Sequence, residues 1–166
     1  MTRAVLHENP YFRVVHHEVG EQSWYRVEAP DAAMIVGTTA EGELLMIRGS
    51  RGGADALQGY EFPGGLVDPG EDPATTAARE IEEETGYRAT DLRPLGRFHT
   101  IAAVSSSECH VFEATVTRAG TPKLEPGEDW TTELVDRGRF DVLLRTSQIR
   151  DASTLAAAAL YAARRS

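Results

Sequence analysis

The chain has 166 residues, 41% of them apolar and 26% charged, a balance that suits one folded domain and excludes a chain disordered throughout. Acids outnumber bases by 26 to 17, so the net charge is −9 and the pI near 5.0, which argues against binding polymeric nucleic acid through its phosphates. The longest apolar run, residues 155–163, falls far short of the roughly 20 residues that span a bilayer.

From the N-terminus, no apolar stretch of a secretory signal precedes residue 12. Residues 11–18 and 23–28 alternate as a β-hairpin across Gly20-Glu21, and residues 32–38 and 43–48 form a second across Glu41-Gly42. A glycine-rich loop, 49–59, leads to a short extended piece, Tyr60-Glu61-Phe62, stopped by Pro63-Gly64-Gly65. A helix follows with unusually clear ends: Asp72 as N-cap, Pro73 in the first turn and Gly86 just past the last turn. Ala74, Ala77, Ala78 and Ile81 give it an apolar stripe. Residues 92–101, 109–117 and 131–136 read as strands, 139–144 and 153–164 as helices, the last capped by Asp151 or Ser153. Strands and helices are interspersed, so the class is mixed α/β. Cys109, the single cysteine, cannot form an internal disulfide and reads as a small buried hydrophobe, and the setting implied is reducing and cytoplasmic.

The acids are concentrated in two blocks. From Asp68 to Glu84 there are seven acids (Asp68, Glu71, Asp72, Glu80, Glu82, Glu83, Glu84) against one base, Arg79. The second block holds Glu125, Glu128, Asp129, Glu133 and Asp136 against Lys123. On the capped helix Glu80, Glu83 and Glu84 share one face within a turn, a spacing that destabilises a bare helix and makes sense around a cation. Oxygen-only donors select hard ions such as Mg²⁺ or Mn²⁺. The loop from Pro63 to Glu71 brings bare backbone beside a helix N-terminus that favours anions. Carboxylates for a metal next to an anion site suggest phosphate-ester or pyrophosphate chemistry.

Gly65, five residues, Glu71, seven residues, then Arg79-Glu80-Ile81-Glu82-Glu83-Glu84-Thr85-Gly86-Tyr87 resembles the Nudix box of the Nudix hydrolases. The one departure is Tyr87, where that family has an aliphatic residue. Looser similarity to the ADP-ribose pyrophosphatase branch runs through Glu8-Asn9-Pro10-Tyr11-Phe12, Ile47-Arg48-Gly49-Ser50-Arg51 and Ile149-Arg150-Asp151-Ala152-Ser153-Thr154-Leu155. A proline that the branch places after its box is absent, since that region reads Ile101-Ala102-Ala103-Val104.

The resemblance implies a Nudix fold, a mixed sheet sandwiched between helices. It divides the chain into residues 1–30, an N-terminal hairpin exchanged between the subunits of a homodimer, and 31–166, the hydrolase domain. It implies Mg²⁺-dependent hydrolysis of a nucleoside diphosphate linked to another moiety, with ADP-ribose to AMP and ribose 5-phosphate as the first candidate. Glu80, Glu83, Glu84 and the carbonyl of Gly64 would hold metal, with Gly65, Glu71, Arg79 and Gly86 supporting the site. Arg51 and Glu108 would meet substrate, and Trp24 either stacks on a base or packs in the core or a dimer. The proton would go to Glu128, ahead of Glu125 or Asp129, or to Glu83 on the helix. Two alternatives stand beside this reading: a pyrophosphohydrolase that clears damaged nucleoside triphosphates, and a Nudix-like domain that senses a ligand without turnover.

Overall fold

The computed structural model describes residues 2–49 and 59–165. In chain order it runs β1 (Thr2–Glu8), β2 (Arg13–Val19), β3 (Gln22–Glu28), β4 (Ala32–Thr38), β5 (Leu44–Gly49), β6 (Gly59–Glu61), β7 (Gly64–Leu66), α1 (Pro73–Thr85), β8 (Tyr87–His99), β9 (Glu108–Arg118), β10 (Thr131–Val135), α2 (Arg137–Arg145) and α3 (Ala152–Ala163). Two sheets result. β1, β2 and β3 form a three-stranded antiparallel sheet, and the rest form a larger mixed sheet ordered β10-β5-β4-β9-β8, with β6 on β5 and β7 on β4.

β4 organises the large sheet. It pairs in parallel with β9 over its whole length, from Ala32 opposite Cys109 to Thr38 opposite Thr115. It meets β5 only at the turn, through Gly37 and Thr38, and its first three residues pair with β7. The second hairpin of the sequence reading is therefore real but short, because β5 diverges to pair with β6 and β10. Alternation along the strands builds two cores. Met34, Val36, Leu44, Met46, Cys109 and Val111 join Phe140, Leu143, Ala157 and Tyr161 of α2 and α3 on one face. Ala33, Ile35, Leu45, Ala114 and Val116 join Ala77 and Ile81 of α1 on the other. The sheet is thus sandwiched between helices as the sequence implies, and Tyr87 fills a slot in the α1 core.

Three details differ from the sequence reading. β1 adds a third strand to the predicted N-terminal hairpin; every one of its residues is exposed and a bulge lies between Val5 and His7, so no alternation marks it. β8 begins at Tyr87 rather than Leu92, and bulges before Arg93 and Gly96, with Asp91 at φ 55, break its period. The buried side of α1 is Thr76, Ala77, Ile81, Glu84 and Thr85, while Ala78 is exposed. An apolar stripe misses that face because three of its members, Thr76, Glu84 and Thr85, are polar groups whose bonds are made inside the fold. None of the described helices is long and apolar enough to cross a membrane.

The small sheet is tied to the large one through the β8–β9 turn. Val27 N–H donates to Val104 O (2.7 Å) and Ser107 Oγ to Ala29 O (2.9 Å).

Candidate active site

α1 starts as its sequence dictates. Asp72 caps it by accepting from Ala74 N–H (2.8 Å), Pro73 needs no donor there, and Gly86 ends it at φ 70 with its N–H bonded to Glu82 O. Arg79 is the hub of the exposed edge. Its guanidinium donates to Glu80 Oε1 (2.8 Å) and Glu83 Oε2 (2.9 Å), and its second nitrogen reaches Glu71 Oε2 (3.4 Å). Partial burial opposes the charge on Arg79, but the bonds to Glu71, Glu83 and Glu80 outweigh it and hold the guanidinium above its usual range. Glu71 is fixed from the other side by Thr76 Oγ1 (2.6 Å), and these two partners hold its carboxyl below the ordinary range.

The glycines before α1 are demanded by contact. A Cβ on Gly65 would lie 2.5 Å from Glu80 Cδ, so glycine lets the Glu80 carboxylate settle onto the loop. A Cβ on Gly64 would collide with the backbone of Ala33 and Met34. Gly64 N–H donates to Glu84 Oε2 (3.0 Å), which anchors a carboxylate that is only 4% exposed. Burial pushes the Glu80 carboxyl above the ordinary range; Arg79 pulls it back, while Glu83 and Glu128 push it further up.

Glu128 acts on Glu80 because the second acidic block is tied to the end of α1. Gly86 O accepts from Ala119 and Gly120 N–H (2.9 Å each), and Glu83 O accepts from Lys123 N–H (2.7 Å). A tight turn follows, with Glu128 N–H donating to Glu125 O (3.1 Å) and Glu125 N–H donating to the Glu128 carboxylate (2.8 Å). Asp129, next in the chain, presses on Gly49, where a Cβ would lie 2.8 Å from its Oδ1. The structure therefore strings Arg79, Glu80, Glu83 and Glu84 along α1, with Glu71 just before the helix, Gly64 and Gly65 against Glu84 and Glu80, Glu128 near Glu80, and Gly86 at the C-terminal end of the helix.

Other expected residues lie elsewhere. Arg51, with residues 50–58 of the glycine-rich loop, lies outside the described residues. Trp24 stands on β3 opposite His17 and is 55% exposed. Glu108 begins β9, pairs with Arg97 (3.1 Å) and binds Asp31 Oδ1 through its N–H (2.8 Å). Glu125 shares the turn with Glu128 and is exposed. Cys109 is 2% exposed, and burial pushes its thiol up to about 12, with Asp151 adding to the effect. Thr76 escaped the sequence reading; the only signal was a hydroxyl five residues after Glu71, inside the first turns of the helix.

Among the described residues no three acidic, histidine or cysteine side chains already stand together as a ligand set, because Arg79 lies between Glu80 and Glu83. The donor chemistry nonetheless fits a hard divalent cation. The Glu71, Glu80 and Glu83 carboxylates share the single guanidinium of Arg79, oxygen donors that an added cation would also attract, and the Gly65 cradle keeps the Glu80 oxygens free of side-chain crowding on that side.

The fold and this helix define the class: the chain belongs to the NUDIX domain family, which matches residues 28–155. Among its relatives, the ADP-ribose pyrophosphatase of Bacillus subtilis is 32% identical over 130 residues, 77% of this chain and 70% of that protein. A CMP-5'-(N-acetyl-N-hydroxy-3-aminopropyl)phosphonate hydrolase of Streptomyces rubellomurinus is 48% identical over 88 residues, 53% of this chain, and the match spans only 42% of that protein. In three dimensions the chain is similar to an ADP compounds hydrolase, with a TM-score of 0.79 at 24% identity, covering 99% of this chain and 91% of that one.

Proposed function

We propose that the protein hydrolyses the pyrophosphate linkage of a nucleoside diphosphate joined to another moiety, with ADP-ribose, cleaved to AMP and ribose 5-phosphate, as the first candidate. The observation that carries this reading is the meeting of two acidic elements: Glu80, Glu83 and Glu84 on α1, and Glu128 on a loop hydrogen-bonded to the end of α1 and near enough to raise the Glu80 pKa. Glu80, Glu83, Glu84 and the carbonyl of Gly64 would hold Mg²⁺, with Mn²⁺ as a substitute. When bound, such an ion neutralises charge on a bridging diphosphate and lowers the pKa of water.

The chain's own residues do the rest. Arg79 and Glu71 keep the carboxylates converged, and Gly64 N–H fixes Glu84. Glu128, with no role as a metal donor, takes the proton of the attacking water, ahead of Glu125, Asp129 or Glu83. Arg51 offers a guanidinium for phosphate. The relatives' names support an anhydride between a nucleoside monophosphate and a second phosphorus group, an arrangement common to ADP-ribose and to a CMP-phosphonate.

The test is a panel of ADP-ribose, NADH, diadenosine polyphosphates, GDP-mannose, UDP-glucose and dNTPs, each with Mg²⁺, Mn²⁺ or chelator. The expected result is metal-dependent release of AMP and ribose 5-phosphate, fastest with ADP-ribose. Preferential turnover of dNTPs would transfer the reading to a triphosphate pyrophosphohydrolase, and binding without turnover of any compound would leave a sensing domain.

A further inference from the structure

Two threonines on the buried side of α1, Thr76 and Thr85, are each 0% exposed. Alanine is the better helix former, so helix stability does not explain a threonine at either position. Thr85 uses its hydroxyl as helical threonines usually do, on the carbonyl four residues back, Ile81 O. Thr76 does not. The carbonyl four residues before it, Asp72 O, accepts the Thr76 N–H (3.1 Å), while Thr76 Oγ1 donates to Glu71 Oε2, outside the helix, at 2.6 Å.

That bond ends on the oxygen that also meets Arg79. Arg79 Nη2 reaches Glu71 Oε2 at 3.4 Å, while Nη1 holds Glu80 Oε1 at 2.8 Å and Glu83 Oε2 at 2.9 Å. The guanidinium thus straddles two kinds of carboxylate: Glu80 and Glu83, which would hold the cation, and Glu71, which would not. A cation at Glu80 and Glu83 competes with Nη1 for the same oxygens. The competition costs least when the partly buried guanidinium keeps a fixed anion at its other nitrogen. Glu71 can be that anion only while its carboxylate stays in place. The bond from Thr76 is the shorter of the two side-chain bonds to it, and it comes from a residue with no exposed surface.

We infer that Thr76 is a positioning residue for the cation: its hydroxyl fixes Glu71 as the anchor that keeps Arg79 when a metal takes Glu80 and Glu83. The inference rests on the proposed reading of α1 as a divalent-cation site, and not on which substrate is cleaved.

The test is Mn²⁺ binding to the full chain by electron paramagnetic resonance, for wild type, Thr76→Val, Thr76→Ser, Glu71→Gln and the double variant Thr76→Val/Glu71→Gln, with thermal melts in chelator. Thr76→Val should bind Mn²⁺ about three- to tenfold more weakly than wild type, the scale of one lost hydrogen bond to a charged group. Thr76→Ser should stay within about twofold of wild type, although it gives up a buried methyl and melts lower. Glu71→Gln should weaken binding at least as much as Thr76→Val, and the double variant should lose little more, because the hydroxyl acts through Glu71. Wild-type affinity in Thr76→Val would overturn the inference and leave α1 as the cation site. So would affinity that follows the melting temperature across the valine and serine variants, or losses that add in the double variant. A wild type that binds no Mn²⁺ would overturn the reading of α1 and this inference with it. If the variants behave as expected yet no diphosphate is hydrolysed, the proposed reaction fails and the role of Thr76 stands.

Discussion

At the scale of single residues, Gly65 shows how backbone chemistry sets the position of a charge. Its missing Cβ is the space against which the Glu80 carboxylate rests, and Glu80 is then held by Arg79 at 2.8 Å. Gly65→Ala should therefore displace the end of a flexible side chain, a small cost to the fold but a large one to function. We expect kcat to fall by about tenfold or more, since an ångström of misplacement carries that order of penalty, with the melting temperature within a few degrees of wild type. Unchanged kcat would mean that the Glu80 position does not matter. The spacing of Gly65, Glu71, Arg79 and Glu80 was legible in the sequence because it is a fixed pattern along one chain segment. The bond from Thr76 to Glu71 and that from Gly64 N–H to Glu84 were not, since each depends on how a buried polar face seats against the sheet.

At the scale of elements, the loop from residue 119 to 130 matters through where it is tied. A sequence shows its acids but not that Gly86 O and Glu83 O accept its amides. Those bonds place Glu128 beside α1, and they depend on a glycine. Gly86 has φ 70, and a Cβ there would lie 2.6 Å from Gly120 O, a backbone atom that cannot swing aside. Gly86→Ala should lower stability by about 1–3 kcal/mol, combining the left-handed strain with the collision, and should also loosen the loop and depress kcat. Denaturant melts together with hydrogen exchange at the Lys123 amide test this. A variant with wild-type stability and full Lys123 protection would contradict the tether. Helix ends were legible because caps are local chemistry, whereas β1 and the start of β8 were not, because exposure of every residue in one and bulges in the other erase the two-residue period.

At the scale of the whole molecule, the sandwich of a mixed sheet between helices follows from alternation along β4, β5 and β9, and the sequence carried it. The small sheet is a different matter. It presents Val5, Leu6, Tyr11, Phe12, Val19, Trp24 and Tyr25 to solvent, and we propose that a second copy of the chain pairs there. Removal of residues 1–30 should then give a monomer with weakened substrate binding by sedimentation and kinetics, and a truncated enzyme with unchanged assembly and activity would contradict that role. The central claim is that α1 holds a divalent cation for hydrolysis while the loop supplies the base. It is tested most directly by measuring kcat for ADP-ribose against Mg²⁺ concentration in wild type, Glu84→Gln and Glu128→Gln. Glu84→Gln should lose at least about 10²-fold and need more Mg²⁺, while Glu128→Gln should lose about 10²–10⁴-fold at an unchanged Mg²⁺ midpoint. Wild-type turnover by Glu84→Gln at the same Mg²⁺, or undiminished hydrolysis in chelator, would contradict it.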